Sequence, residues 1–283
     1  MNLLYCGDGN IADGVILSVL SILNCVKEPI NVFVLTAGLK TQTREFKPLS
    51  KRFENELNAL LKEENPESGA KVTDITELFD TLPPTANLET RFTPLCMLRL
   101  YADLVPEIPD RVLYLDNDVI CRKDFSSFYY QDMSDFELCG VLDHYGKWFF
   151  KSKILKFRPD YLNSGVLLLN LKKIRQTGLF EKCRERCSNV NMFMPDQSAI
   201  NKLSKKKKIC RRRYNEQRKL RNSTVFQHFT TSFRFFPWVH TVTVKPWDIE
   251  RVHSVLKINE YDSLFGRYEE ILPRFKENYY ENK

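Results

Sequence analysis

Asp116 and Asp118 stand two residues apart, directly after the apolar run Val112-Leu113-Tyr114-Leu115 and before a second apolar pair, Val119-Ile120. A continuous run rich in β-formers has the character of a buried central strand. Ionised carboxylates inside such a strand would be very costly, so the pair belongs where the chain leaves the sheet. Two carboxylates there suit Mg²⁺ or Mn²⁺, hard cations that take oxygen ligands and bridge carboxylates to a substrate's phosphates. The spacing alone serves equally for an acidic turn whose side chains cap backbone groups. Arg99 is a second candidate, set among Leu95, Leu98, Leu100 and Ala102. Either its stem snorkels along an apolar surface, or its guanidinium is buried and pairs with a phosphate or carboxylate at the strand ends.

A scaffold must bring such groups together, and the chain reads as α/β. Residues 3–6 form a first strand that ends at Gly7-Asp8-Gly9-Asn10; a helix follows from near Asp13, then a second strand over residues 30–35. Strand, glycine-bearing turn, helix and strand make a βαβ unit and hence a parallel sheet. Ligands bind outside the carboxyl ends of such strands, where Asp8 and Asn10 would lie, although Asp8 also suits a plain turn. The Gly-x-Gly here lacks the third glycine of a dinucleotide fingerprint, which excludes a nicotinamide site. Further along, the periodicity predicts a helix over 43–64, a strand over 71–75 and a helix opening near Pro94. A strand over 137–143 ends in Asp143, and Asn163-Ser164-Gly165 leads into a buried strand at 166–170. One long helix is predicted from Leu171 to Cys187, then a short one opened by Pro195-Asp196-Gln197. Cys183 and Cys187 are four apart, but with no third ligand nearby they read as packing. Val225-Phe226 leads to His228, and residues 241–247 follow an aromatic cluster that includes Phe235, Phe236 and Trp238. Residues 249–283 read as helical decoration.

Composition bounds the answer. The chain of 283 residues, 43% apolar and 28% charged, is ordinary for a globular protein with a sizeable core. Residues 1–6 lack a basic n-region and Asp8 follows too early for a signal peptide, while no run reaches the length of a membrane span. Eight cysteines without a Cys-x-x-Cys pair suit a reduced, cytoplasmic protein better than a disulfide framework. The net charge of +7 is local. Eleven of the 43 basic residues and one of the 36 acids fall within 202–221, and the remaining 32 and 35 leave the body at −3. That segment is a solvated loop, an anionic membrane contact or a site for a polyanionic partner. With Tyr214 its only ring, it does not read as a nucleic-acid surface.

Together these motifs resemble glycosyltransferase family 8, the retaining GT-A enzymes that include bacterial galactosyl- and glucosyltransferases and glycogenin. The resemblance covers residue 3 to about 248. It rests on Leu113-Tyr-Leu-Asp116-Asn-Asp118-Val, on Arg99 seventeen residues before Asp116, on Asn163-Ser-Gly-Val-Leu-Leu-Leu-Asn170, on Asp196-Gln197 and on Lys245-Pro-Trp247. It implies a GT-A fold: a Rossmann-like, mixed, mostly parallel sheet flanked by helices. The implied catalytic domain is 1–248, with a nucleotide-sugar half over about 1–125 and an acceptor half over about 126–248. A small helical extension occupies 249–283. It further implies that Asp116 and Asp118 hold Mn²⁺, with Mg²⁺ as an alternative, against the diphosphate of a UDP-sugar. Cys6, Asp8 and Asn10 would hold the uridine; Arg99, Asp116, Asn117, Asn163 and Lys245 would complete the donor site. Gln197, Asp196 and Asp143 would surround the reacting sugar, and no carboxylate reads as a nucleophile, which implies front-face attack with retention.

Two departures stand out. The family's stacking aromatic is replaced by Ile11, and the lysine of Lys245-Pro-Trp247 comes 17 residues after His228-Phe229, as though a loop were inserted. His228 is preferred as the third metal ligand, for its His-Phe pair and the apolar residues ahead of it; His240 is the rival. The implied activity is a Mn²⁺-dependent transfer of glucose or galactose to a glycan or lipid-linked acceptor of the cell surface, such as lipopolysaccharide. Segment 202–221 would touch the inner face of the membrane. The alternative is a non-catalytic nucleotide-sugar-binding module; a metal-dependent nucleotidyltransferase is disfavoured by the missing Gly-rich phosphate loop.

Overall fold

The computed structural model describes residues 1–89, 94–146, 160–234 and 240–276. A seven-stranded sheet runs in the order Lys207–Ile209, Leu138–Leu142, Leu162–Asn170, Arg111–Leu115, Asn2–Gly7, Asn31–Thr36, Gly69–Asp74. Leu162–Asn170 is antiparallel to both its neighbours and every other pairing is parallel. The reversal matters for the site. Six strands bring their carboxyl ends to one edge, and the seventh starts there, placing Asn163, Ser164 and Gly165 beside the ends of the others.

Alternate side chains along the central strands enter two separate cores, the expected outcome when both faces of a sheet are covered. Leu3, Tyr5, Leu113, Leu115, Val166 and Leu168 face one core with the helices Ala12–Leu23 and Lys51–Glu64. Leu4, Val112, Tyr114, Leu167 and Leu169 face the other, with the 3₁₀ helix Pro94–Leu104 and the helices Leu171–Thr177, Leu179–Asn189 and Pro195–Leu203. A C-terminal helix, Asp262–Lys276, packs on the first face.

Several sequence expectations are corrected. The helix expected over 43–64 begins only at Lys51, where the Ser50 hydroxyl accepts from the Phe53 N–H at 3.2 Å. Residues 45–46 instead pair with 39–40 in a small hairpin, because a cap at Ser50 fixes the start more firmly than apolar spacing does. The single helix expected over 171–187 is two, divided at Gly178, whose φ of 63° ends the first helix in the left-handed region. The basic segment is not wholly a loop. Residues 207–209 form the outermost strand, and the buried Glu137 carboxylate accepts from Ser204 Oγ and the N–H groups of Lys205 and Lys206. All eight cysteines are free, and Cys183 and Cys187 are buried in the second core. Phe235, Phe236, Trp238 and most of 144–162 lie outside the described residues.

Candidate active site

Asp116 leaves the strand Arg111–Leu115 with its N–H on the carbonyl of Gly165 at 2.8 Å. Its Oδ1 accepts from Tyr114 Oη at 2.6 Å and from Arg99 Nη2 at 3.0 Å. The chain turns, and Val119–Cys121 pairs antiparallel with Phe226–His228, with Val119 opposite His228. This hairpin-like pairing sets the imidazole between the two carboxylates: Nε2 is 3.0 Å from Asp118 Oδ1 and 3.5 Å from Asp116 Oδ2. One ligand atom from each of Asp116, Asp118 and His228 lies within 4.8 Å of the others. Among the described residues it is the one such cluster of three or more. Two carboxylate oxygens and one imidazole nitrogen form a donor set that Mn²⁺ or Mg²⁺ accepts.

Lys245 places its ammonium on Asp118 Oδ2, opposite the histidine. Burial would by itself push the Asp118 carboxyl up; Lys245 and His228 outweigh it and hold the group well below the usual carboxylate range. Burial likewise disfavours charge on His228 and Lys245, but Asp118 raises both. The protein thus supplies its own cations to carboxylates that would otherwise repel each other. Trp247 packs near Gly14, where an added Cβ would meet Trp247 Cζ3 at 2.7 Å and the Asn117 carbonyl at 2.4 Å. Lys245-Pro246-Trp247 and Asn117 are therefore clamped on the start of the first helix.

Arg99 is buried, with Nε donating to the Cys96 carbonyl (2.8 Å), Nη1 to that of Ser164 (2.7 Å) and its fork paired with Asp116 and Asp196. Its guanidinium lies 4.0 Å above the Tyr114 ring. The anion its burial required comes from the protein's own carboxylates. Gln197, also buried, holds both ends of its amide: Oε1 accepts from the Ser164 N–H at 2.9 Å, and Nε2 faces Asp143 Oδ2 at 3.3 Å. Asp143 accepts in addition from Asn163 Nδ2 at 2.9 Å. Asp8 lies buried past the first strand with Asn10 Nδ2 2.5 Å from Oδ2, and burial raises its pKa. Cys6 pairs with Leu35 on the next strand. Asp116, Asp118, His228, Lys245, Arg99 and Asp196 are thus linked by direct contacts, as are Asn163, Gln197 and Asp143, and Ser164 and Asn215 join the two groups; Asp8, Asn10 and Cys6 sit at the neighbouring strand end. The His240 backbone lies in the hairpin Ser232–Arg234 with His240–Val242.

The sequence profile of the glycosyl transferase family 8 matches residues 2–250. The chain belongs to this family. A "Probable glycosyl transferase Gly" of Streptococcus gordonii is 30% identical over 119 residues, 41% of this chain and 16% of that protein. A "Probable galacturonosyltransferase-like 4" of Arabidopsis thaliana is 31% identical over 105 residues, 32% of this chain and 30% of that one. The match thus spans well under two thirds of either relative. The solved structure of the galactosyltransferase LgtC with donor and acceptor sugar analogues superposes with a TM-score of 0.68 at 20% identity, covering 95% of this chain and 96% of that one. The architecture is the GT-A fold of these glycosyltransferases.

Within this family 8 site, three contributors went unread in the sequence. Tyr114 shares a face with Asp116, two residues on, and the polar tip of a tyrosine in an apolar strand was the available sign. Ser164 positions Arg99 and Gln197 through its backbone and donates its hydroxyl to Gln197 Oε1 at 3.2 Å, contacts across the fold that no local spacing records. Asn215 bridges the site's halves, with Oδ1 3.2 Å from His228 Nδ1 and Nδ2 2.9 Å from Asn163 Oδ1. Its sign was Asn215-Glu216-Gln217, a break in the charge of the basic segment.

Proposed function

We propose that this glycosyltransferase is a retaining hexosyltransferase that moves glucose or galactose from a UDP-sugar to a glycan or lipid-linked acceptor, with Mn²⁺ as its cofactor. The observation that carries this reading is the Asp116–Asp118–His228 cluster at the strand ends, with Lys245 and Arg99 beside it. Asp116, Asp118 and His228 would hold the ion, which would offset charge developing on the departing diphosphate. Lys245 can swing from Asp118 to a phosphate oxygen, a point cation on a flexible stem. Asp8, Asn10 and the Cys6 backbone would take the uridine, with Asn117 and Asn163 along the donor. Ile11 offers the base an aliphatic face in place of an aromatic one.

The surroundings of Asp196 and Asp143 support front-face attack over a covalent glycosyl-enzyme. Asp196 is buried against Arg99, and Asp143 already accepts from Asn163, Gln197 and the Tyr145 N–H. Neither presents a disengaged oxygen for attack on an anomeric carbon. Gln197, fixed at both ends of its amide, would instead line the sugar, so acceleration comes from positioning and from fixed dipoles. Hydrolysis of UDP-glucose and UDP-galactose is measured with and without Mn²⁺, beside Asp118→Asn. Metal-dependent UDP release that the variant abolishes is the expected result. UDP binding without any turnover would favour a binding module.

Among the described residues no helix is long and apolar enough to cross a membrane. Lys205, Lys206 and Arg211 are exposed, and through them we propose a peripheral contact with anionic lipid. Replacing the three with Gln should weaken sedimentation with anionic vesicles. Undiminished sedimentation removes the membrane contact and leaves the chemistry as it stands.

A further inference from the structure

Directly after Asp143, His144 is held between two arginines of the basic segment. Its Nδ1 is 3.0 Å from Arg212 Nη2 and its Nε2 is 3.4 Å from Arg218 Nη1. A neutral imidazole has one accepting nitrogen and a charged one has none, whereas guanidinium only donates. At least one of the two contacts therefore sets donor against donor. The local carboxylate does not cancel this excess. Glu216 is buried and shared: Arg212 Nε is 3.0 Å from Oε1, Arg221 Nε is 3.7 Å from Oε2, and the N–H groups of Arg218 and Lys219 also point at Oε1. The guanidinium groups of Arg212 and Arg221 share that one carboxylate, whereas Arg218 meets it only through its backbone N–H and turns its exposed guanidinium to His144.

The cluster is fixed to the active site. The His144 N–H donates to Gln217 Oε1 at 2.8 Å, and Gln217 Nε2 donates to the Leu142 carbonyl at 3.2 Å. The preceding residue, Asp143, is the one that Asn163 and Gln197 engage. We propose that Arg212, Arg218 and His144 form a subsite for an anionic group, a phosphate or carboxylate, carried by the acceptor. Planar guanidinium forks match both anions, and an oxyanion at Arg218 would accept the hydrogen bonds that now oppose each other. Naming the ligand as the acceptor rests on the transferase reading; the anion site itself does not.

The test uses the full chain with ¹³C,¹⁵N-labelled histidine, saturated with UDP and Mg²⁺, the diamagnetic alternative ion, to fill the donor site. The chain has four histidines, so His144→Gln identifies the His144 ring signal. Methyl phosphate and methyl glucuronide are titrated separately. The expected result is a saturable movement of the His144 signal with one of them, and at least a tenfold weaker response in Arg218→Gln at an unchanged melting temperature. A signal unmoved by both anions, or equal affinity in Arg218→Gln, overturns the proposal. So does movement with phosphatidylglycerol vesicles alone, which would make the cluster a membrane face. Glucose 6-phosphate binding more tightly than methyl phosphate supports a phosphosugar acceptor; farnesyl phosphate doing so supports a lipid-linked one. If UDP itself does not bind while the anion response persists and is lost in Arg218→Gln, the transferase reading fails and the anion subsite stands.

Discussion

Asp118 has two rival cations, the Lys245 ammonium on one oxygen and His228 on the other. A divalent ion must take the imidazole lone pair, so it competes with a proton. Because the His228 pKa is raised, its charged form contributes stability that is fully present below the unfolded value of about 6.5 and is lost as pH rises through the folded value. Metal affinity follows the opposite course: Mn²⁺ should bind most tightly above the raised pKa and weaken by about one proton's worth per pH unit below it. Calorimetric titrations across pH check this, and a flat profile would remove His228 from the ligand set. Asn215 sets the ring's orientation from the other side, accepting from Nδ1 so that Nε2 turns to the carboxylates. Asn215→Ala should weaken Mn²⁺ about 10–100-fold without touching a ligand, as outer partners of metal histidines do. Unaltered affinity would show that the Val119–His228 pairing alone suffices. That Asp116, Asp118 and Arg99 come together at the strand ends was legible in the sequence from residue type and spacing. Asn215 was not, because it acts across the fold on His228 and Asn163, and no local period records that.

Elements place these residues through backbone approaches that only certain side chains allow. Gly165 faces the Asp116–Asp118–His228 cluster from the antiparallel strand; a Cβ there would lie 2.1 Å from His228 Cε1 and 2.7 Å from Asp116 Oδ2. Neither can yield without leaving the cluster, so Gly165→Ala should cut metal-dependent turnover by roughly 100-fold or more. Turnover near the wild-type level would show that the imidazole is not held where the chemistry needs it. Gly178 is the contrasting case, needed for its left-handed φ of 63° and distant in role from the cluster. Gly178→Ala should cost about 1 kcal/mol in chemical denaturation and leave UDP release unchanged. The contrast also shows why element boundaries were harder to read than elements. Apolar spacing continues through Gly178 and ahead of Ser50, but backbone conformation at the first and capping at the second decide where the helices stop and start. The antiparallel direction of Leu162–Asn170 was equally hidden, since a strand buried on both faces has the same composition in either sense.

For the whole molecule, the question is what the last helix contributes to a site it does not touch directly. Leu264, Phe265, Tyr268, Ile271 and Phe275 are buried in the core shared with the first two helices, and the rings of Phe53 and Phe275 lie 5.7 Å apart. Around them, Arg267 pairs with Glu64, and Arg274 with Glu63 at 2.8 Å, both at the surface. The magnitudes separate these contributions. Each buried side chain of that size is worth about 1.5–3 kcal/mol, and an exposed ion pair about 0–1. Phe265→Ala should therefore cost about 3–5 kcal/mol, a large share of a typical total of about 5–15, and lower the melting temperature by on the order of 10 °C. Arg274→Gln should move it by about 2 °C or less, an effect that added salt erases in the wild type. Both variants should keep wild-type UDP release per folded molecule at a temperature where each remains folded, because neither side chain belongs to the Asp116–Asp118–His228 cluster. The comparison is made by thermal melts and turnover on the same samples. Equal losses from the two substitutions would mean that charge, not burial, seats the helix. A turnover loss in folded Phe265→Ala would show that the disturbance reaches the site, either along the first helix or through Tyr261, which touches Phe265, Phe229 and Gln227.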